Sequence, residues 1–394
     1  MNKNKTTLTR PPLDSLACVN ERCERYGQAG QENLVVRKVY GADRIRYLRC
    51  RVCREEFSER KNTAFWNTKV PEAKAVSVGE HLAEGCSLKG TARLVQVDAS
   101  TVRRLNQRLG AHAEAFHDEH VQDVAVDALE ADERHGYAGK KGVPAWEAEL
   151  IDPASKFVLS HVQGRRNEAM IRRLLTDGAR RLANRHDLVL LTDGDASYAT
   201  LFPAIFGQPY RPGRNGDRGR FPQMRFRIPR RLAHAQIIKH RQGRRVVDIE
   251  LRYTHGSQKR VNQALDTLGY TTPNTSAIER RNGTARRMNA HQVRRSLAFS
   301  RRADTKVALG WWSLTVYNWC RSHSSLRQEL AEPVGKKSTN NGRRPWLWDW
   351  PIVFFQPETL LSLLSTQAAV CDNLTTLPFL DPSMPNQLKP AAQA

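Results

Sequence analysis

Four of the chain's seven cysteines fall within its first 53 residues, as Cys18-x4-Cys23, a spacer of 26 residues, and Cys50-x2-Cys53. Between the pairs, Leu34, Val35, Val36, Val39 and Tyr40 and then Ile45, Tyr47 and Leu48 form apolar runs separated by Gly41-Ala42-Asp43, which predicts a β-hairpin. A segment this short buries too little apolar surface to hold itself together. Two thiol pairs at the tips of short hairpins are the arrangement of a zinc ribbon: tetrahedral Zn2+ takes four soft ligands converging from separate turns, and its binding replaces the missing core. Isolated buried thiols are the alternative; Cys86, Cys320 and Cys371 lack paired spacing and are expected to be ordinary packing residues. The basic start, MNKNKTTLTRPPLD, is followed by no apolar core of the secretory kind, so a cytoplasmic location is expected.

Length and charge bound the rest. At about 100–200 residues per domain, 394 residues predict two or three folding units. No window approaches the roughly 18 consecutive apolar residues of a membrane-spanning helix, so no membrane partner is expected. With 63 Lys+Arg against 40 Asp+Glu, the net charge of +23 points to a polyanion, most simply nucleic acid. The excess is uneven. Residues 211–260 hold fifteen Lys/Arg against three Asp/Glu, with Phe221, Phe226 and Tyr253 interleaved as stacking surface for a polynucleotide, although a solvated loop has the same composition.

From residue 70 to 116 the periodicity is helical. Ala75, Val78 and Leu82 share one face, Gly85 breaks the run, and Leu88, Ala92 and Val95 make a second short helix. After the turn Gln96-Val97-Asp98-Ala99, a third helix opens at Ser100 and carries Arg103, Arg104 and Arg108 outward. That pattern suits a helix-turn-helix whose last helix enters a major groove, or a plain three-helix packing unit. An acidic stretch at 113–133 marks an expected domain boundary. Strands follow at 129–138, 146–151 and 157–162, then a helix at 167–183 with Ile171, Leu174 and Leu175 inward and its arginines outward, and a buried strand at 188–191. Together these predict an α/β domain with a mixed sheet. A basic helix at 276–288 and an aromatic one at 309–319 come next. The expected organisation is 1–66 zinc-ribbon domain, 67–117 helix-turn-helix, 124–330 catalytic α/β domain with a basic insertion at 208–262, and a 331–394 extension without an assigned role.

Three acids stand out against the basic background. Asp132 lies in the first strand of the α/β unit, Asp193 closes the strand at 188–191, and Glu279 opens the basic helix beside Arg280, Arg281, Arg286 and Arg287. Strand carboxyl ends are where open α/β sheets form crevices. Two aspartates and a glutamate supply the hard oxygen ligands that phosphoryl transfer by two Mg2+ ions requires, and the arginines would hold phosphates. Each acid also has an ordinary reading. Asp193-Gly194 is a common turn dipeptide, Ser276-Ala277-Ile278-Glu279 has capping-box spacing, and Asp132 suits a solvated strand, with Asp127 the better-buried acid.

The blocks DERHGYAGKK, TDGDASY, NTSAIERRNGTARR, RRSLAFSRR and VYNWCRSHSSLR, in that order, resemble the signature blocks of bacterial insertion-sequence transposases of the insertion sequence one family. The resemblance runs from about Cys18 to Arg327. It implies a ribonuclease-H-like catalytic domain behind a zinc ribbon and a helix-turn-helix, with Asp132, Asp193 and Glu279 as catalytic ligands of Mg2+ or Mn2+ and Cys18, Cys23, Cys50 and Cys53 as ligands of Zn2+. It further implies terminal inverted repeats and target sites in double-stranded DNA as partners, a homodimer or higher synaptic assembly, and a nucleoid-associated protein. Arg103, Arg104, Arg108, Arg280, Arg286 and Arg287 become DNA contacts, with Arg286 seven positions after the glutamate. His135 stands where the family often has tryptophan, and 85 residues separate Asp193 from Glu279. A transposase-derived DNA-binding repressor that no longer cuts is the rival reading.

Overall fold

The computed structural model describes residues 10–213, 222–293, 297–334 and 337–342. Most of the expected 331–394 extension, Cys371, Phe221 and part of the basic segment therefore lie outside the described residues. Two compact units divide between Gly79 and Glu80.

In the first unit a short 3-10 turn, Leu13–Ser15, precedes three antiparallel strands, β1 (Leu34–Tyr40), β2 (Ile45–Cys50) and β3 (Glu56–Ser58). The hairpin expected between the cysteine pairs is β1–β2, with Leu34 opposite Cys50 and Tyr40 opposite Ile45. Its core is small: Leu16, Leu34, Leu48 and Phe57 pack with Cys18, Cys23 and Cys50 themselves. Outside it, Arg60 reaches Glu72 at 2.7 Å and Asp43 at 2.9 Å.

Three helices follow, α1 (Glu72–Ala83), α2 (Leu88–Val95) and α3 (Ala99–His120), where the apolar spacing places them. Ser87 caps α2 through the Gly90 N–H and Asp98 caps α3 through the Ser100 N–H, both oxygens satisfying donors that a first helical turn leaves free. The 113–133 acidic stretch is no linker. It begins inside α3, which continues to His120, where buried His117 meets the Leu159 carbonyl at 2.8 Å and the Trp311 ring.

The second unit is mixed α/β around a mixed sheet. Its strands are β4 (Ala128–Arg134), β7 (Trp146–Ile151), β8 (Val158–Gly164), β9 (Val189–Thr192), β12 (Ala233–Gln242) and β13 (Arg245–His255), in the order β13-β12-β9-β4-β7-β8. Small side ribbons come from β5 (Tyr137–Ala138) with β6 (Lys140–Pro144) and from β10 (Gln208–Tyr210) with β11 (Arg225–Arg227). Strands β4, β9 and β12 run parallel; the outer pairings are antiparallel. The central strands are buried on both faces, as parallel strands beneath helices must be.

Helices α4 (Glu168–Arg180) and α5 (Ala196–Phe206) cover one face; α6 (Gln258–Thr267), α7 (Ser276–Met288) and α8 (Ala303–Thr315), continued by a π-turn at Val316–Cys320, cover the other. Helix α4 buries Ile171, Leu174 and Leu175 as expected. Arg181 just beyond it is not outward: its guanidinium is buried on Asp177 and Asp118, which share its charge. The expected basic insertion is likewise partly core. Ala233, Ala235 and Ile237 of β12 pack with Val189 and Leu191 of β9, while the described cations of the segment lie on β11, β13, the far end of β12, α6 and the loops. Among the described residues no helix is long and apolar enough to cross a membrane.

Helices α3 and α8 cross at Gly110, where an added Cβ would stand 2.3 Å from the Ala308 Cα. Glycine in a helix interior ordinarily costs about 0.5–1 kcal/mol relative to alanine, yet here backbone is the neighbour and overpacking by about 1–3 kcal/mol wins. Gly283 in α7 has nothing within 4 Å of such a Cβ. Gly110→Ala is therefore expected to lower the midpoint of thermal unfolding by several degrees, and Gly283→Ala to raise it slightly; a rise with Gly110→Ala contradicts the packing.

Candidate functional site

Parallel pairing of β4 with β9 sets Ala131 opposite Thr192, so the residues that follow, Asp132 in β4 and Asp193 just past β9, come out side by side. Adjacent strands are about 4.8 Å apart, which is carboxylate-to-carboxylate reach. Carboxylate oxygens of Asp132, Glu133 and Asp193 all lie within 4.8 Å of one another, a cluster that could hold a metal ion. Burial above all, with the charges of Asp193, Glu133 and Glu279, pushes Asp132 up to about 7 against the pull of the Glu133 N–H. Such crowding favours a bound cation as much as a bound proton.

Each acid is held differently. Asp132 accepts from the Glu133 N–H through Oδ1 and from Asn282 Nδ2 through Oδ2, both at 2.8 Å. Asp193 Oδ1 accepts from the Asp195 N–H at 3.0 Å, while Asp195, not Asp193, caps α5. Glu133, on the opposite face from Asp132, accepts from the buried Tyr198 hydroxyl at 2.6 Å and from Arg166 Nε at 3.2 Å. Asp127, the alternative acid, is exposed and ion-paired with Arg260.

Glu279 stands apart from that cluster. It lies on the first turn of α7 close enough to raise Asp132, but its exposed carboxylate is paired with Lys239 of β12 and accepts from Thr275 Oγ1 at 3.3 Å. The capping box is not formed: α7 has no side-chain cap at Thr275. Instead Glu130 of β4 accepts the Ile278 N–H at 2.8 Å and the Tyr270 hydroxyl at 2.7 Å, a cap supplied from the sheet.

Below Asp132 the sheet face is charged and buried. Glu147 and Glu149 of β7, Arg134 of β4, Arg281 of α7 and Lys306 of α8 are each no more than 2% exposed. Arg134 Nη2 reaches Glu147 at 2.7 Å and Glu149 at 2.6 Å, Arg281 Nε reaches Glu149 at 2.9 Å, and Lys306 pairs with Glu147. Burial raises Glu147, but Lys306 and Arg134 outweigh it and hold the acid at about 2. Arg281 also lies over the Tyr317 ring, 4.2 Å from its centroid.

The expected nucleic-acid arginines divide by position. Arg103 and Arg104 on α3 and Arg280 and Arg287 on α7 are exposed, whereas Arg108 and Arg286 are half-buried. Arg287 lies 3.7 Å from Glu84. His135 is exposed between the Tyr137 and Trp146 rings, at 4.6 and 4.9 Å.

In the first unit the four thiols converge. Cys18 and Cys53 sulfurs are 3.6 Å apart and those of Cys23 and Cys50 are 3.9 Å apart, all free. Metal–sulfur bonds of about 2.3 Å give a tetrahedron edge of about 3.8 Å, so the cluster has the dimensions to hold a metal ion. Burial raises the Cys50 thiol, but the N–H groups of Cys53 and Val52 and the Asn33 amide, 3.3 Å away, outweigh it and bring Cys50 to about 7, toward the thiolate a metal requires.

Asn282, Lys239, Glu133 and the ionic layer were not singled out in the sequence. Asn282 follows Glu279 by three residues, one helical turn, and that spacing was the available signal. No family model matches the chain, and a search among curated proteins finds no match. Elemental analysis of the purified protein is expected to find a tightly held divalent metal that Cys50→Ser loses; full retention in the variant contradicts a four-thiol site.

Proposed function

We propose that this chain is a DNA transposase of the Asp-Asp-Glu type, which cleaves the ends of an insertion element and joins the freed 3′ hydroxyl to target DNA. The observation carrying the reading is the convergence of Asp132 and Asp193 from neighbouring parallel strands beneath the helix that bears Glu279. The order of β8, β7, β4, β9 and β12, with β7 alone antiparallel to the other four, is compatible with a ribonuclease-H-like core. The ordered sequence blocks support the family reading, and the convergence of two of its three acids supports the chemistry.

Asp132 and Asp193 would hold Mg2+ or Mn2+, with Glu279 completing the ligand set on leaving Lys239; their all-oxygen donors suit hard divalent ions. Bound there, such ions supply Lewis-acid activation of the attacking hydroxyl and stabilise the leaving 3′ oxygen. The protein's own groups would hold DNA: Arg280, Arg286 and Arg287 face phosphates approaching the acids, and Lys239, released by Glu279, adds another cation. Zn2+ on Cys18, Cys23, Cys50 and Cys53 would hold the first unit together as a zinc ribbon. That ribbon and Arg103, Arg104 and Arg108 of a helix-turn-helix would select the terminal repeats of double-stranded DNA, in a homodimer or larger synaptic assembly. Strands β11 and β13 would grip DNA without sequence preference.

Strand transfer tests the reading. Given a pre-cleaved copy of the inverted repeat flanking its own gene and Mg2+, the protein is expected to join that end to a target plasmid, and Asp193→Ala to reduce joining to background. Binding of the end without joined product identifies a DNA-binding repressor, and undiminished joining by Asp193→Ala removes the acids from the chemistry.

A further inference from the structure

Asn282 links the charged layer to the acidic cluster. It is 3% exposed, its Oδ1 accepts from Arg134 Nη1 at 3.1 Å, and its Nδ2 donates to Asp132 Oδ2 at 2.8 Å. The orientation of the amide follows from chemistry. Arginine only donates and an ionised carboxylate only accepts, so turning the amide over would set two donors against each other and two acceptors against each other. Arg134 is itself fixed, its Nε and Nη2 on Glu147 and its Nη2 also on Glu149, which leaves Nη1 for Asn282. Donation therefore runs one way, from Arg134 through Asn282 to Asp132.

Two consequences follow for the acids. Asp132 receives one hydrogen bond on each oxygen, from Glu133 N–H and from Asn282, so its carboxylate plane is held while each oxygen keeps a lone pair for a cation. Glu279 and Asn282, three residues apart, share a face of α7, so seating the amide on Asp132 also sets the rotation of the helix that carries the glutamate.

We infer that Asn282, oriented by Arg134, is a positioning residue that holds the Asp132 carboxylate and the Glu279 face of α7 in register for a divalent cation. The inference rests on the reading of Asp132 and Asp193 as ligands of the catalytic ions. Hydrogen-bond partners of ligating carboxylates typically contribute about 10–100-fold in metal affinity or activity.

Mn2+ binding to the full-length protein, measured by calorimetry or by the loss of the free-ion electron paramagnetic resonance signal, tests it. Asp132→Asn defines the signal that belongs to the acidic cluster. Asn282→Leu, branched in the same way and without donor or acceptor, is expected to weaken that binding about 10–100-fold. In strand transfer it is expected to raise the half-saturating Mn2+ concentration by the same factor, with the rate at saturating Mn2+ approaching that of the wild type. Asn282→Ser, which keeps a hydroxyl donor, should fall between the two, and it carries the test alone if the leucine variant does not fold. A purely structural role would lower the unfolding temperature and leave the Mn2+ affinity in place; affinity within about twofold of wild type in a folded Asn282 variant overturns the proposal. If wild type shows no Mn2+ binding that Asp132→Asn removes, the metal reading of the acids fails and takes the proposal with it.

Discussion

The buried ion layer between β7, β4, α7 and α8 governs how the second unit is put together. Glu147 and Glu149 leave the strand on the covered face, and three cations, Arg134, Arg281 and Lys306, converge on them from three different elements. Ion pairs this deep seldom stabilise a fold relative to apolar residues of the same shape, but removing one partner strands a charge at a cost of about 3–5 kcal/mol. Here they also tie two helices to the sheet. Arg281 and Lys306 fasten α7 and α8 at the rotation that sets Asn282 on Asp132 and Glu279 beside Lys239 of β12.

Three cations against two carboxylates leave this layer with positive charge to spare, directed at Asp132 through the Asn282 amide. The acids above carry the opposite imbalance, since Asp132, Glu133, Asp193 and Glu279 are answered locally by Arg166 and Lys239. On the proposed reading a divalent cation would offset that excess, and the phosphates it would attract would meet exposed arginines on α7. The Lys239–Glu279 pair is a consistent part of this balance: the same glutamate that would join a metal cage has a lysine partner on the neighbouring strand.

Much of this was legible in the sequence where one periodicity or one ligand pattern decides the outcome. The hairpin between the cysteine pairs, α2, the bounds of α7, the buried strand ending at Asp193 and the convergence of four thiols all followed from local pattern. Charge misleads where burial reverses its usual meaning. The alternation of Glu130, Asp132 and Arg134, or of Glu147 and Glu149, looks like the solvent face of a strand, and only the matching Arg281 and Lys306, more than a hundred residues on, mark it as covered. Arg181, whose helical position suggests solvent, is buried for the same reason. The basic segment reads as an insertion because its charge masks Ala233, Ala235 and Ile237, three alternating small or apolar residues that make β12 a sheet strand. Glu279 was placed near the aspartates by motif order, but its pairing with Lys239 depends on the register of β12, which no local pattern encodes.

The central claim is that Asp132, Asp193 and Glu279 together hold the metal ions at which DNA is cut and joined. Anomalous diffraction from crystals grown with Mn2+ and a DNA end tests it most directly. The account predicts anomalous peaks between the Asp132 and Asp193 carboxylates, with Glu279 turned from Lys239 to join them. Peaks at other residues, or a DNA-bound complex in excess Mn2+ with no peak at these acids, would contradict it.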